Sequence, residues 1–324
     1  MLPELEDWFA RRTWQDPRWD AASLVAAKRG RTVSVVLPAL DEQETVGAVV
    51  AAVVPLTRGP SPLVDELVVL DSGSTDATRR IAADAGARVV TRECALPGVE
   101  PRPGKGEVLW RSLAATTGDV IVFLDSDLVD VDTRFVTSLL GPLLTDHGVE
   151  LVKGFYRRPL RLRGAQADRT PALETAELET GGGRVTELLA RPVITALCPR
   201  LAGIVQPLGG EYAATRELLE SVPFAAGYGV ELGLLIDAER SRGLDALAQV
   251  NLGVRKHRNR SLLQLGVMSR QILAAVLNRV QVPDSGGSIV QFTQLGGEWL
   301  PTEHPVETRD RPAMRELLSR PAPG

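Results

Sequence analysis

The chain has 324 residues, 44% of them hydrophobic, which is enough for one large α/β domain or for a nucleotide-binding half with a smaller partner half. Its 37 Lys and Arg against 41 Asp and Glu give a net charge of −4, so it lacks the basic excess of a nucleic-acid binder, and no nucleic-acid partner is expected. Two cysteines, Cys94 and Cys198, lie too far apart for a disulfide framework or a zinc knuckle and read as buried thiols.

The N-terminus, MLPELED, carries acids where a secretory signal carries Lys or Arg, and no 18-residue apolar run occurs, so a cytoplasmic location without membrane attachment is expected. The apolar stretch 49–56 (VVAAVVPL) is short and contains Pro55, which fits a buried helix end.

Residues 1–30 read as an N-terminal arm with one short helix. From Thr32, TVSVVLPAL has the continuous β-branched character of a parallel strand buried on both faces, followed by a helix at about 42–54. The rhythm repeats: strand 65–71, Ser/Gly/Thr turn 72–76, helix 76–86, strand 87–91, Pro/Gly loop 97–106, helix 106–116, strand 119–125, helix 133–144 and strand 149–156. Strands alternating with helices predict a mostly parallel sheet with right-handed crossovers, whose ligands sit beyond the strands' carboxyl ends. Segment 163–180 breaks the rhythm and reads as a mobile loop. A Gly-rich turn at 181–183 then opens a helix interrupted near Pro192, and 206–259 reads as further short strands and helices. Apolar residues at three and four spacing predict a helix over 261–280, and the Pro- and Arg-rich tail after about 300 reads as poorly ordered. No internal repeat is present.

Three polar clusters fall at strand exits. Asp125-Ser126-Asp127 follows VIVFL, where the chain bends and can aim one carboxylate at a metal and another at a ribose; a turn with a helix N-cap is the structural alternative. Pro38-Ala39-Leu40-Asp41-Glu42 offers backbone groups to a base, with Glu42 toward the crevice, or an ordinary turn. Asp71-Ser72-Gly73-Ser74-Thr75-Asp76 permits close approach of a nucleotide, with Asp76 equally suited to cap a helix. Gly104-Lys105-Gly106, just before a helix, can meet a phosphate through its ammonium and backbone N–H groups, or lie exposed. It lacks the spacing and trailing Ser/Thr of a P-loop.

Taken together, the series LPALDEQ, LDSGSTD, RPGKGE, FLDSDL, TGGGRVTEL, GYGVELGLLID and VRKHRNR resembles the actinobacterial glucosyl-3-phosphoglycerate synthases, retaining glycosyltransferases of the GT-A fold. The resemblance spans roughly residues 13 to 292. LDSGSTD and DSD are shared by many GT-A enzymes, whereas GGGRVTE, GYGVE and KHRNR are more specific. Stretches 59–62 and 163–180 differ from the family pattern but lie outside the motifs.

The resemblance implies a Rossmann-like α/β nucleotide-sugar half over 31–160, an acceptor-binding half over 161–260, and a C-terminal helix and tail over 261–324. It implies that Pro38, Ala39, Leu40, Glu42, Ser72, Lys105, Asp125 and Ser126 hold the nucleotide sugar, UDP-glucose or GDP-glucose. Asp127 and His257 match the ligands of Mg²⁺ or Mn²⁺, hard cations that suit carboxylate and diphosphate oxygens. The implied acceptor is 3-phosphoglycerate, a trianion needing several fixed donors. Gly183, Arg184 and Thr186 supply backbone N–H groups, a guanidinium and a hydroxyl, and Arg255 and Asn259 match further acceptor contacts, with Arg258 helping by charge. Glu231 matches the acid near the reacting centre, and Glu231, Asp127 and Lys105 carry catalysis. The family also implies a homodimer, with the 261–280 helix at the contact.

Three other readings compete: a GT-A transferase using a GDP-sugar or mannose, a nucleotidyltransferase, and a nucleotide-sugar binder without turnover. The nucleotidyltransferase fits less well because LPALDEQE has no Gly-rich, Arg-containing loop at the first strand exit.

Overall fold

The computed structural model describes residues 2–157, 183–254 and 261–319. In chain order it begins with α1 (Pro3–Arg12), the two-residue strand β1 (Thr13–Trp14) and α2 (Ala21–Lys28), followed by β2 (Val33–Ala39) and α3 (Val46–Val53). Next come β3 (Glu66–Asp71), α4 (Thr78–Asp84), β4 (Arg88–Thr91), α5 (Arg92–Ala95), α6 (Lys105–Ala115), β5 (Val120–Phe123), α7 (Thr133–Thr145) and β6 (Leu151–Arg157). A π-helical turn at Thr186–Ala190 leads into α8 (Arg191–Leu197), then β7 (Tyr212–Thr215), α9 (Arg216–Ser221), α10 (Val230–Arg242) and β8 (Leu247–Val254). The chain finishes with α11 (Leu262–Arg279), a hairpin of β9 (Ser288–Leu295) and β10 (Glu298–Pro305), and α12 (Met314–Leu318).

Eight strands form one sheet in the order β1-β8-β6-β7-β5-β2-β3-β4. All neighbours are parallel except β7, which runs antiparallel between β5 and β6. The sheet is therefore mostly parallel, as the βα rhythm predicts, and Rossmann-like on its β5-β2-β3-β4 side. Alternation along the strands splits the core in two. Val33, Val35 and Leu37 of β2 with Val120 and Val122 of β5 pack under α2, α3 and α7. Val36, Ile121 and Phe123 point the other way, toward α6, α9, α10 and α11. With both faces covered, strands such as VIVF read as unbroken apolar runs.

The ends of the chain differ from their sequence reading. The first 30 residues hold two helices and an edge strand. Leu5 and Trp8 are buried, the Trp8 indole donates to the Leu247 carbonyl at 3.0 Å, and Thr13 and Trp14 pair with Gln249 and Val250 of β8. A two-residue strand has no periodicity to detect, so pairing alone reveals it. The tail is also built into the fold. Gly296 and Gly297, both at positive φ, form the tight turn of the hairpin, a conformation that costs residues with a Cβ. The chain then returns to the body, where Arg311 and Phe224 exchange backbone hydrogen bonds, Trp110 donates to the Pro312 carbonyl at 2.9 Å, and Met314 is buried. Of the two thiols, Cys94 is exposed and Cys198 half-buried. The 163–180 segment, read as a mobile loop, lies outside the described residues.

The return of the tail is pinned by charge. Glu107, in the first turn of α6, accepts from Arg111 at 2.5 Å and from Arg311 at 2.5 and 2.8 Å, all three side chains being buried or nearly so. Arg311→Ala leaves Glu107 its Arg111 partner, so it should cost about 1.5–3 kcal/mol, the worth of a hydrogen bond to a charged group. Glu107→Ala takes the paired carboxylate from both guanidinium groups, leaving them only carbonyl acceptors, and should cost more, about 3–5 kcal/mol. Urea unfolding of the two variants should show that order.

Candidate active site

The carboxyl ends of β2, β3 and β5 are adjacent in the sheet, with β2 between strands reached by connections running in opposite directions. Such a switch point leaves a crevice between diverging loops. The cleft there has a volume of about 290 Å³ and is lined by residues of all three exits, including Pro38 to Leu40, Glu42, Ser72 and Asp125 to Asp127.

Short side chains lock these exits together. The Ser126 hydroxyl donates to the Pro38 carbonyl at 2.7 Å, joining the β5 exit to β2, and Ser72 N–H donates to the Ala39 carbonyl at 2.8 Å, joining β3 to β2. Asp41 takes a left-handed conformation and accepts from Thr75 N–H at 2.8 Å, while its own N–H donates to Ser74 Oγ at 3.0 Å. The ambiguity of Asp76 resolves toward structure: it accepts from Thr78 N–H at 2.9 Å and Gln43 N–H at 3.2 Å at the start of α4. Asp71 is fully buried and accepts from Gly73 and Ser74 N–H, fixing the turn that presents Ser72.

Lys105 is not an exposed turn residue. It opens α6, and its ammonium reaches Asp125 Oδ1 at 2.5 Å and Glu231 Oε1 at 2.8 Å. Glu231 lies in the first turn of α10 and is buried. Burial alone pulls the Lys105 pKa down, but the charges of Asp125 and Glu231 and their hydrogen bonds outweigh it and hold the ammonium well above the usual lysine range. Lys105 is thus a fixed cation across the neutral and mildly alkaline range, unsuited to proton transfer and suited to stabilising negative charge.

Nine of the sequence-selected residues therefore share one cleft: Pro38, Ala39, Leu40, Glu42, Ser72, Lys105, Asp125, Ser126 and Asp127. Glu231 joins them through Lys105. Gly183, Arg184 and Thr186 stand where the chain enters the π-helical turn, which packs on α11; Arg184 is exposed, Thr186 buried, and none of the three lines the cleft. Arg255, His257, Arg258 and Asn259 lie outside the described residues, so the convergence of His257 with Asp127 does too. The cleft's donor set suits a hard divalent cation: Asp127 lines it with carboxylate oxygens, and no group of three or more His, Cys, Asp or Glu side chains able to hold a metal occurs among the described residues. Such a site needs oxygens from a bound diphosphate to complete it.

Sequence reasoning gave no role to Tyr228, which lines the cleft and whose N–H donates to Gln271 Oε1 of α11 at 3.0 Å. It also passed over Lys153 and Tyr212, buried beneath the cleft. Their signal was a lone Lys in the apolar strand LVKGFY, visible but without a partner in the linear chain.

Comparison with known proteins agrees with this geometry. Residues 34–196 match glycosyl transferase family 2. A glucosyl-3-phosphoglycerate synthase of Mycolicibacterium smegmatis is 59% identical over 313 residues, covering 97% of this chain and 99% of the relative. One from Petrotoga mobilis is 41% identical over 254 residues, covering 78% of this chain and 75% of the relative. The crystal structure of the Mycobacterium tuberculosis synthase in complex with Mn²⁺, UDP and glucosyl-3-phosphoglycerate matches with a TM-score of 0.83 at 54% identity, covering 94% of this chain and 99% of that one. The same synthase in complex with Mn²⁺, UDP-glucose and phosphoglyceric acid gives 0.82 at 54% identity, covering 94% and 98%. The chain belongs to the glucosyl-3-phosphoglycerate synthases of glycosyl transferase family 2.

Proposed function

We propose that this chain transfers glucose, with retention at the anomeric carbon, from UDP-glucose to the 2-hydroxyl of 3-phosphoglycerate, using Mg²⁺ or Mn²⁺. The observation that carries this reading is the Lys105 ammonium held between Asp125 and Glu231 in a cleft lined by the positions that the resemblance assigns to the nucleotide sugar. Related synthases bind UDP-glucose, phosphoglyceric acid and Mn²⁺ in crystals.

Leu40 exposes an apolar face in the cleft beside Pro38 and Ala39, and these residues with Glu42 and Ser72 are assigned to the uracil ring and the ribose. An ammonium has three N–H donors and Lys105 directs two at carboxylates, so one remains for a diphosphate oxygen. As the anomeric C–O bond breaks, negative charge grows on the β-phosphate, and a permanent cation already oriented there needs no reorganisation. A divalent cation held by Asp127, with His257 as its second protein ligand, would neutralise further charge on the departing diphosphate.

Glu231 positions the reacting groups. One of its oxygens is engaged by Lys105 at 2.8 Å, which ties down a carboxylate that double displacement would need as a free nucleophile. The reading is front-face attack by the acceptor hydroxyl. Gly183, Arg184 and Thr186, with Arg255 and Asn259, are assigned to the carboxylate and phosphate of the acceptor.

We also assign the working form to a cytoplasmic homodimer. Among the described residues no helix is long and apolar enough to cross a membrane. The contact is assigned to α11, the 261–280 helix, and the β9–β10 hairpin bonded to it through Gln291 exposes Val290, Phe292, Leu295 and Trp299 nearby. Sedimentation equilibrium should give twice the chain mass, and a monomer would refute the assignment.

Incubation with UDP-glucose, Mg²⁺ and 3-phosphoglycerate should release UDP and form a phosphorylated glucosylglycerate; pyrophosphate release, or no product across a panel of donors and acceptors, would overturn the reaction. Asp127→Ala and His257→Ala should each cut turnover severely, with partial recovery in excess Mn²⁺. Arg184→Ala should raise the KM for 3-phosphoglycerate about ten- to a hundredfold, the worth of one charge-assisted contact, and leave UDP affinity unchanged by calorimetry. A glycosyl adduct trapped on Glu231 and seen by mass spectrometry would replace front-face attack with double displacement.

A further inference from the structure

Beneath the cleft lies a charged residue that the reaction as described does not use. Lys153 sits in β6, an interior strand of the sheet, and is buried. Its ammonium donates to the Gly209 carbonyl and rests 4.6 Å from the centroid of the Tyr212 ring, its cross-strand neighbour on β7. Burial lowers its pKa to about 8, against the pull of Glu231 and Glu211, with Lys105 adding to the depression and Asp125 opposing it. Among the described residues the buried Tyr212 hydroxyl has no hydrogen-bond partner, and burial raises its pKa well above the usual phenol range, with Glu231 adding to the rise. Burying an ammonium is costly, and an apolar side chain of similar length would fill this space at less cost.

What Lys153 holds explains the expense. The 206–211 segment is anchored to β6 at three points: the Gln206 amide donates to the Tyr156 carbonyl at 2.5 Å, Lys153 grips the Gly209 carbonyl, and Gly154 N–H donates to the Glu211 carbonyl at 2.8 Å. Gly210, between the last two anchors, lies directly against the Asp125 carboxylate, so close that a Cβ there would overlap it. One oxygen of that carboxylate, Oδ1, meets the Lys105 ammonium at 2.5 Å. Asp125 thus touches both the backbone that Lys153 fixes and the Lys105 ammonium.

We propose that Lys153 is a positioning residue for the transfer: through the Gly209 carbonyl it presses Gly210 against Asp125 and so sets the place of the Lys105 ammonium at the departing diphosphate. The kinetic part rests on the function proposed above; the structural part does not.

The test is Lys153→Met, which keeps length and bulk and removes the donor. With UDP-glucose, Mn²⁺ and 3-phosphoglycerate, kcat should fall about ten- to a hundredfold, as expected when one charged hydrogen bond is lost, while the KM for 3-phosphoglycerate stays within about threefold. A crystal structure of the variant should show the Lys105–Asp125 contact broken or displaced. A lowered melting temperature with kcat within about threefold of wild type would assign Lys153 to packing alone and overturn the proposal, as would an undisturbed Lys105–Asp125 contact. If Lys153→Met does not fold, Gly210→Ala probes the same contact directly: it should displace Asp125 and lower kcat similarly, and wild-type kcat with Asp125 in place would overturn the proposal. If the wild-type enzyme transfers nothing, the function fails, and the variant's Lys105–Asp125 geometry still decides this inference.

Discussion

The site depends on one ammonium group between two carboxylates. Lys105 belongs to α6, Asp125 to the exit of β5 and Glu231 to α10, so this single contact joins three elements that the chain makes at widely separated points. Each carboxylate removed from water requires the cation, and the cation requires both. The arrangement holds a permanent positive charge in the cleft, because the flanking acids keep Lys105 protonated despite its burial.

The sheet supplies the frame for that contact. A doubly wound parallel sheet opens a crevice where β2 meets β5, and the hydroxyl and backbone bonds of Ser126 and Ser72 keep the loops at a fixed separation. Into this frame β7 is inserted antiparallel, which carries the 206–211 segment directly under Asp125 and Tyr212 beside Phe123, with ring centroids 4.9 Å apart. An unbroken parallel sheet would place a crossover helix at that point rather than a backbone close enough to seat a carboxylate.

The C-terminal part closes the structure around the same helix starts. Arg311 reaches Glu107 two residues beyond Lys105, and its backbone pairs with Phe224 just before the 227–229 turn that begins α10. Arg279 of α11 binds Asp237 of α10 at 2.6 Å and Asp310 at 3.1 Å. Both helices that contribute to the Lys105–Glu231 pair are therefore clamped by residues from the last quarter of the chain.

Sequence by itself determined the elements and the chemistry they expose. Unbroken β-branched runs gave β2, β3 and β5, their short polar sequels marked the exits, and the DSD, GKG and GYGVE motifs named the residues that meet at the cleft. It did so because strand burial and turn formation are local, written in adjacent residues. Only the tertiary structure decided that Asp76 ties the Gln43 N–H to the start of α4 while Asp125 holds a lysine, that a two-residue strand completes the sheet edge, and that the Pro- and Arg-rich tail packs on α6. The buried Lys153 has its meaning there as well. Those outcomes rest on pairings between residues tens to hundreds of positions apart, and no pattern of neighbouring side chains encodes which distant carbonyl or carboxylate a buried charge will find.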